Sequence, residues 1–508
     1  MFKKLVSLFF VMVMVLSLGA CSGDKAGSKT VNNDGMLSDE LIELKAFYNQ
    51  NPDSEDGQYE TFKEAAKLTN INVTCTVPKS NTDFNQAFNL MIASGDIPDL
   101  VQTYDPTGFA RLGNEGAFVP LDEYIDEYMP NVKKLLEERP DVKANITAFD
   151  GHIYYLPMIP AGVASTGWII RQDWLDKLNL KAPTNAEEMY QVLTAFRNQD
   201  PNGNGLKDEV PLFGTRGLDE AMTLWGARPG FYVKDGKIGY GPYEKQYRTA
   251  MENLVKWYQE GLIDQEILTR TGDFKTKLVG DNVGGMCNEW FGSTCLLNDS
   301  LADKVPGLNL QPIAPPSGIE LNRRAINYPY GWGVSAFSKH IEEAVRYLDF
   351  WYSERGSLLM NFGIEGKNYD MIDGKPVFKP EMLADGKISA NLHKEGAQLE
   401  MGFLQDFEYE RQWINETGYN GMKMYEDGGY IVEQFPVTIT AWMTDDEAKE
   451  YSKLHTDVTT YADEMFFKWM MGSEDIEKTW DTYMNSLKKF GADRLIELQQ
   501  EVYSRVVK

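Results

Sequence analysis

From residue 42 onward the chain alternates strand-like and helix-like runs, and that alternation restricts the fold more than any other feature of the sequence. "IELKAFYN" (42–49) and "INVTCTV" (71–77) carry apolar or β-branched residues at alternate positions, the period of an extended chain. Between them "GQYETFKEAAKLTN" has helical spacing. "FNQAFNLMIASG" then places Phe84, Ala87, Phe88, Met91 and Ile92 on one helical face and stops at Gly95, before "IPDLVQTY" (97–104) begins a third strand. Consecutive strand-helix-strand units predict a parallel sheet, with ligands at the carboxyl ends of its strands. "TYDP" (103–106) lies at such an end.

A second α/β block begins near "DGHIYYLPMIPAGVASTGWIIRQDWLDKL", where two strand-like runs flank a Pro/Gly-rich crossover, Pro157 to Gly162. "PTNAEEMYQVLTAFRNQD" reads as a helix capped by Thr184, with Glu187 completing a capping box. Further on, Ser338 is the expected cap of an amphipathic helix, and the stretch from "TDDEAKEYSKL" to "SRVVK" reads as helices throughout. A chain of 508 residues is too long for one ordinary core, so two α/β lobes are expected.

The N-terminus, "MFKKLVSLFFVMVMVLSLGACSGDKAGS", has two lysines, an apolar run from Leu5 to Leu18, and Gly19-Ala20-Cys21. That run is short for a permanent membrane span, and its flanks are those of a secretory leader, residues 1–20. "LSLGAC" resembles a bacterial lipobox, which implies a lipid on the Cys21 sulfur, and the polar residues 21–38 have the composition of a tether. The mature protein is expected at a membrane surface through its lipid anchor only.

Formal net charge is −26, and −28 once Lys3 and Lys4 leave with the leader. A field of that sign repels phosphate backbones, which disfavours nucleic acid as partner. With Cys21 lipidated, Cys75, Cys287 and Cys295 remain; Cys287 and Cys295 can bridge, but buried unpaired thiols are favoured, since no CxxC or Cys/His metal spacing occurs.

"DPNGNGLKDE" (200–209) concentrates hard oxygen ligands around two glycines. Counting from Asp200, the residues Asn202, Asn204 and Asp208 stand where a calcium loop places side-chain ligands, and Leu206 where it offers a carbonyl. The closing glutamate of an EF-hand is replaced by Pro211, so Glu209 is expected to close the shell. Such a structural calcium would brace a loop. The alternative is a solvated Asn/Gly turn.

"ASGDIPDL" (93–100), "DGHIYYLP" (150–157), "RQDWLDKLNLKAPTNAEEM" (171–189), "SKHIEEAVRYLDFWYSERG" (338–356) and "GIEGKNYDMIDGKPVF" (363–378) together resemble the lipoprotein branch of the family 1 extracellular solute-binding proteins of ABC transporters. The resemblance implies an α/β, class II periplasmic-binding-protein-like fold, two lobes joined by a hinge with a ligand cleft between them. On that basis the first lobe takes residues 39–160 and about 330–435, and the second 161–329 and about 436–508. It also implies a monomer that captures an oligosaccharide for permease subunits. Alginate-oligosaccharide binders of this group carry a calcium loop that maps onto Asp200, Asn202, Asn204, the Leu206 carbonyl, Asp208 and Glu209. The cleft residues do not map one for one, so the sugar is not carried over.

A sugar site needs aromatic platforms for C–H faces and polar side chains for hydroxyls. Aromatic residues in loops after strands or beside glycine are the candidates: Trp290 in "GGMCNEWFGS", Tyr330 and Trp332 in "NYPYGWGVS", then Trp225, Trp168 and Trp442. Candidate polar partners are Tyr104, Asp105, Glu289 and Arg171, although Arg171 can equally pair with Asp173. Convergent Lys or Arg side chains would favour an acidic sugar. The rival classes are a glycoside hydrolase using two carboxylates and a surface adhesin that binds polymer without transport; no GxSxG, HExxH or P-loop occurs, and His152, His340, His393 and His455 are scattered.

Overall fold

β1 (Ile42–Phe47) lies between β2 (Ile71–Cys75) and β3 (Leu100–Thr103), all parallel, with Ile42 opposite Ile71 and Ala46 opposite Leu100. This is a computed structural model that describes residues 36–50, 58–77, 84–384, 388–436 and 439–507; the leader, Cys21 and most of the tether lie outside the described residues. Helices Glu60–Thr69 and Phe84–Ser94 make the two connections. The first buries Phe62 and Ala65 and ends at Asn70, whose left-handed backbone (φ 63°) turns the chain into β2.

β4 (Leu156–Pro157) is the last strand before the chain crosses to a second sheet. That sheet contains β5 (Thr166–Arg171) and β6 (Val210–Leu212); β7 (Phe231–Lys234) and β8 (Lys237–Tyr240) form a separate hairpin. β9 (Gly284–Trp290) and β10 (Leu310–Pro312) complete it in the order β10-β5-β9-β6. β11 (Gly331–Val334) then returns to the first sheet, giving β2-β1-β3-β11-β4, and β12 (Tyr369–Ile372) and β13 (Lys375–Phe378) form a second hairpin.

In the first sheet the parallel arrangement expected from the sequence therefore holds for β1 to β3 only, while in the second β6 runs parallel to β9. β11 is antiparallel to both β3 and β4. It re-enters from the other lobe, at the end of the sheet where β4 left it, so it must run the opposite way. β5 is buried at all six positions, with Trp168 and Ile170 in one core and Ile169 in another, the two-residue alternation of a strand covered on both faces.

One core gathers Leu44, Val73, Leu100, Trp332 and Trp351 around the first sheet. Around the second sheet Trp168, Leu193, Trp257, Trp469 and Leu495 form another, which includes the C-terminal helices Asp445–Met470, Ile476–Phe490 and Ala492–Val506. The helix Glu416–Gly428, expected with the first lobe, packs on the second sheet instead. Its Met422 and Tyr425 enter the second lobe's core, where the Tyr425 hydroxyl accepts from the Trp168 amide and donates to the Ile313 carbonyl, each at 2.9 Å. The boundary near 435 is thus too late.

Between the sheets the crossing segments pair with one another. Ile159 donates to the Phe403 carbonyl and accepts from the Gln405 amide, and the Tyr328 amide donates to the Met158 carbonyl at 3.0 Å. A buried Arg324–Glu410 ion pair ties the same segments together.

Two cap assignments shift. The helix Ala186–Asn198 is capped by Asn185, whose side chain accepts from the Glu188 amide, while the Thr184 amide and hydroxyl donate to the Glu188 carboxylate. His340 takes the N-cap position of Ile341–Phe350, and Ser338 instead accepts from the His340 amide and donates to Asp99. Cys287 and Cys295 are buried and unpaired. Among the described residues no helix is long and apolar enough to cross a membrane.

Candidate functional site

Topology brings two strand edges together. On the first sheet Gly331 lies beside Thr103 and Pro157, so the ends of β3 and β4 and the start of β11 form one edge. On the second sheet Thr166 lies opposite Trp290, so the start of β5 and the end of β9 form another. The short segment 158–165 connects Pro157 directly to Thr166, which fixes both edges at the junction of the lobes. Ligands of open α/β sheets bind outside such edges, where loops rather than strands supply the side chains.

The first edge carries tyrosines. Tyr330 stacks on Tyr328 with centroids 5.0 Å apart and planes 6° from parallel, and Tyr104 tilts against Tyr330 at 6.2 Å. The Tyr104 hydroxyl donates to Glu400 Oε2 at 2.8 Å and accepts from Gln102 Nε2 at 3.2 Å. Burial, and then the neighbouring Glu400 carboxylate, push the Tyr104 phenol up, so it stays a donor. Asp105 remains exposed, but its Oδ1 accepts from the Gly108 amide at 3.0 Å and caps the helix Pro106–Asn114. Its first task is therefore structural.

The second edge lines a cavity of about 550 Å³. Trp290, the last residue of β9, is 41 % exposed on its wall. Beside it the buried Glu289 carboxylate accepts from Arg216 Nη1 at 3.0 Å, and the same guanidinium stands 5.8 Å from the Trp290 ring centroid. Arg216 comes from the first turn of helix Thr215–Met222, which Gly214 starts at φ 85°. A side chain there would be strained and would crowd Glu289 Oε1, so the glycine allows the strand end and helix start to meet at the site. Asp219, one turn on, is open to solvent through the cavity mouth yet crowded by protein on its other sides. That loss of water pushes its carboxyl up to about 6 against the pull of Arg216.

Four of the expected ligand residues are core residues. Trp168 is an interior residue of β5. Trp332 stacks on Tyr48 with centroids 6.0 Å apart inside the first core. Trp442 packs with Val502 and Tyr503 in a small cluster. Arg171 is buried, pairs bidentately with Asp173, reaches Asn282 Oδ1 at 2.7 Å and lies over the Trp174 ring. Trp225 is half-buried and packs edge-on against Trp257 at 5.2 Å. Sequence position next to glycine did not separate Trp168 and Trp332 from Trp290, because their side chains are covered by elements far away in the chain, whereas Arg171 is held by Asp173 and Trp174 beside it. Arg216, Asp219, Asn322 and Glu400 were not anticipated; the "FGTRG" pattern, a strand ending on glycine before a helix, is the signal that points to the first two.

The acidic loop turns tightly around Asp200, itself at φ 48°, with Gly203 and Gly205 both at φ 75°. Asp200 Oδ1 accepts from the Gly203 and Asn204 amides and Oδ2 from the Gly205 amide. Asn202 and Asn204 both donate to Asp208, and the Leu206 amide donates to Asn204 Oδ1. Beneath them Glu209 is 2 % exposed with neither carboxylate oxygen hydrogen-bonded, and burial pushes its carboxyl up. A buried carboxylate without a partner is costly, and a bound cation is the natural partner here. Among the described residues no three His, Cys, Asp or Glu side chains stand close enough together to hold a metal by themselves.

Residues 52–357 match the bacterial extracellular solute-binding protein family. The chain belongs to this family. It is 26 % identical over 478 residues to the fructooligosaccharide ABC transporter substrate-binding protein FusA of Streptococcus pneumoniae, covering 86 % of this chain and 85 % of that one. Lipoprotein LipO of Bacillus subtilis is 26 % identical over 382 residues, 71 % of this chain and 74 % of its own. Among solved structures, alginate-binding protein AlgQ2 without calcium ion superposes with a TM-score of 0.78 at 37 % identity, covering 93 % of this chain and 99 % of AlgQ2.

Proposed function

We propose that the protein is the lipid-anchored receptor of an ABC importer, which captures an oligosaccharide between its lobes and delivers it uncut to permease subunits. Trp290 carries this reading. It is a large apolar side chain left open at the carboxyl end of a central strand, on the wall of a cavity of ligand size. Sugar rings offer C–H faces to such an indole, and their hydroxyls match Glu289, Arg216, Asp219 and Asn322 around it. Tyr104, Tyr328 and Tyr330 supply the opposing surface. Lobe closure follows from the sugar's greater affinity for the closed form. The acidic Glu220–Glu320 pair is wholly buried, out of reach of a glycosidic bond, and the reading of capture over hydrolysis is supported by the family match.

Calcium is assigned to the loop of Asp200, Asn202, Asn204, Asp208 and the Leu206 carbonyl, with Glu209 closing the shell from below. The orphaned Glu209 oxygens support the assignment, and the similar AlgQ2 structure is of that protein without calcium ion. Membrane attachment rests on the lipobox-like sequence at Cys21 and on similarity to a lipoprotein.

The decisive experiment is titration of oligosaccharides into the wild-type protein and Trp290→Ala. Loss of the indole is expected to weaken binding by about tenfold or more, with the melting midpoint within about 2 °C. Equal affinity of the two proteins removes Trp290 from the site. Products of sugar cleavage by the wild-type protein overturn the receptor reading.

A further inference from the structure

We infer that the cleft selects uncharged oligosaccharides over those bearing uronate groups; this rests on the oligosaccharide reading above. The charged side chains on the cavity wall and on the first edge decide the preference. Arg216 is already engaged by Glu289, and Arg324, behind Tyr328, is buried against Glu410. Lys275 is the remaining cation on the cavity wall, and it donates to Ser293 Oγ at 2.9 Å. On the same wall Asp219 and Asp273 have no salt bridge among the described residues, and on the first edge neither do Glu400 and Asp105.

Carboxylates therefore outnumber available cations at the site. A carboxylate accepts hydrogen bonds and donates none, so this lining matches hydroxyl groups, each of which brings a donor. Exchanging a sugar's hydroxymethyl group for a carboxylate replaces a donor by an acceptor-only anion. It would face like charges in a partly desolvated cleft whose wall arginine, Arg216, is already paired with Glu289. Arg216 has donors beyond the Nη1 that Glu289 takes, but its charge is already matched there, so an anion beside it would also face the Glu289 carboxylate. The exposed Trp290 face and the Tyr328–Tyr330 stack are indifferent to charge and recognise the ring itself.

The test is calorimetric titration of the mature protein with a panel of neutral oligosaccharides and uronate oligosaccharides matched in length. The tightest ligand is expected to be neutral, at least about tenfold tighter than any uronate, with a Kd that changes less than about twofold when NaCl is raised from about 20 to about 300 mM. In the double variant Asp219→Asn/Asp273→Asn the gap between the two classes should narrow by at least about threefold. A uronate as the tightest ligand overturns the inference and leaves the receptor reading standing. Failure of every sugar to bind overturns both. A gap unchanged in the folded double variant overturns the assignment of selectivity to these two carboxylates.

Discussion

Glu320→Gln is expected to make the protein more stable at alkaline pH and to leave it nearly unchanged in mild acid. Glu320 lies on the segment that returns from the second lobe to the first, and Glu220 on the helix that presents Arg216; both are fully buried. Their carboxyls are bridged by Asn322, whose side-chain amide donates to Glu220 at 2.8 Å and to Glu320 at 3.4 Å, and Asn288 donates to Glu320 at 2.9 Å. Two buried carboxylates cannot both be ionised at this distance without large cost, so the pair holds a proton. Burial pushes Glu320 from an ordinary 4.5 up to about 7, and burial together with Glu320 raises Glu220 further. A carboxyl whose folded value is raised keeps its full stability below the unfolded value and loses it as pH rises through the folded one, here between about 4.5 and about 7.

At about 1.4 kcal/mol per unit, the loss is about 3 kcal/mol, and for a lobe of this size that corresponds to roughly 6 to 12 °C in melting midpoint. The glutamine keeps the shape, has nothing to ionise, and its amide can donate to Glu220. Differential scanning calorimetry should show wild type and Glu320→Gln within about 2 °C at about pH 5, with the variant higher by that amount at about pH 8.5. If the variant melts lower than wild type by the same margin at both pH values, the pair is a paired structural contact and the shared-proton argument is wrong.

Chelation should lower the melting midpoint of wild type and have no effect on Glu209→Gln, because the calcium assigned to the loop cancels the otherwise unpartnered Glu209 charge; a chelator-insensitive wild type argues against a held ion. Tyr425→Phe should cost about 1 to 3 kcal/mol by denaturant titration, since its hydroxyl satisfies both the Trp168 amide and the Ile313 carbonyl inside the second core; a change near zero would mean that water replaces it. Glu447 is held down to about 2 chiefly by Arg505, and it also closes a capping box with Thr444. Its stabilisation is present above pH 4.5 and lost as pH falls toward 2, so Glu447→Gln should be destabilised at pH 7 and equal to wild type near pH 2.

The local signals in the sequence were of uneven use. The alternation at residues 42–49 and 71–77, and the helical face of Phe84 and Met91, are backbone properties, and the strands and crossover helices formed as those periods require. The Glu416–Gly428 helix shows the limit: its apolar face is legible, but which lobe covers that face depends on where the chain has already crossed. For aromatics the limit is sharper. Trp290 and Trp332 both stand at strand positions near glycine, yet one is the exposed end of β9 and the other is covered by Tyr48 and Phe62, residues 284 and 270 positions earlier.

What the sequence determines by itself is therefore what a short window can encode: strand and helix periods, the tight Asp200 to Glu209 turn, the lipobox-like leader, and the family to which the ordered motifs belong. Only the tertiary structure decides what meets at the cleft. Tyr104 and Glu400 are 296 residues apart in sequence and 2.8 Å apart in space. Such pairings, like the neutralising of Arg216 by Glu289, arise because crossing segments carry strand ends from different parts of the chain to one junction, and burial there reassigns the charge, exposure and hydrogen-bonding capacity of each side chain.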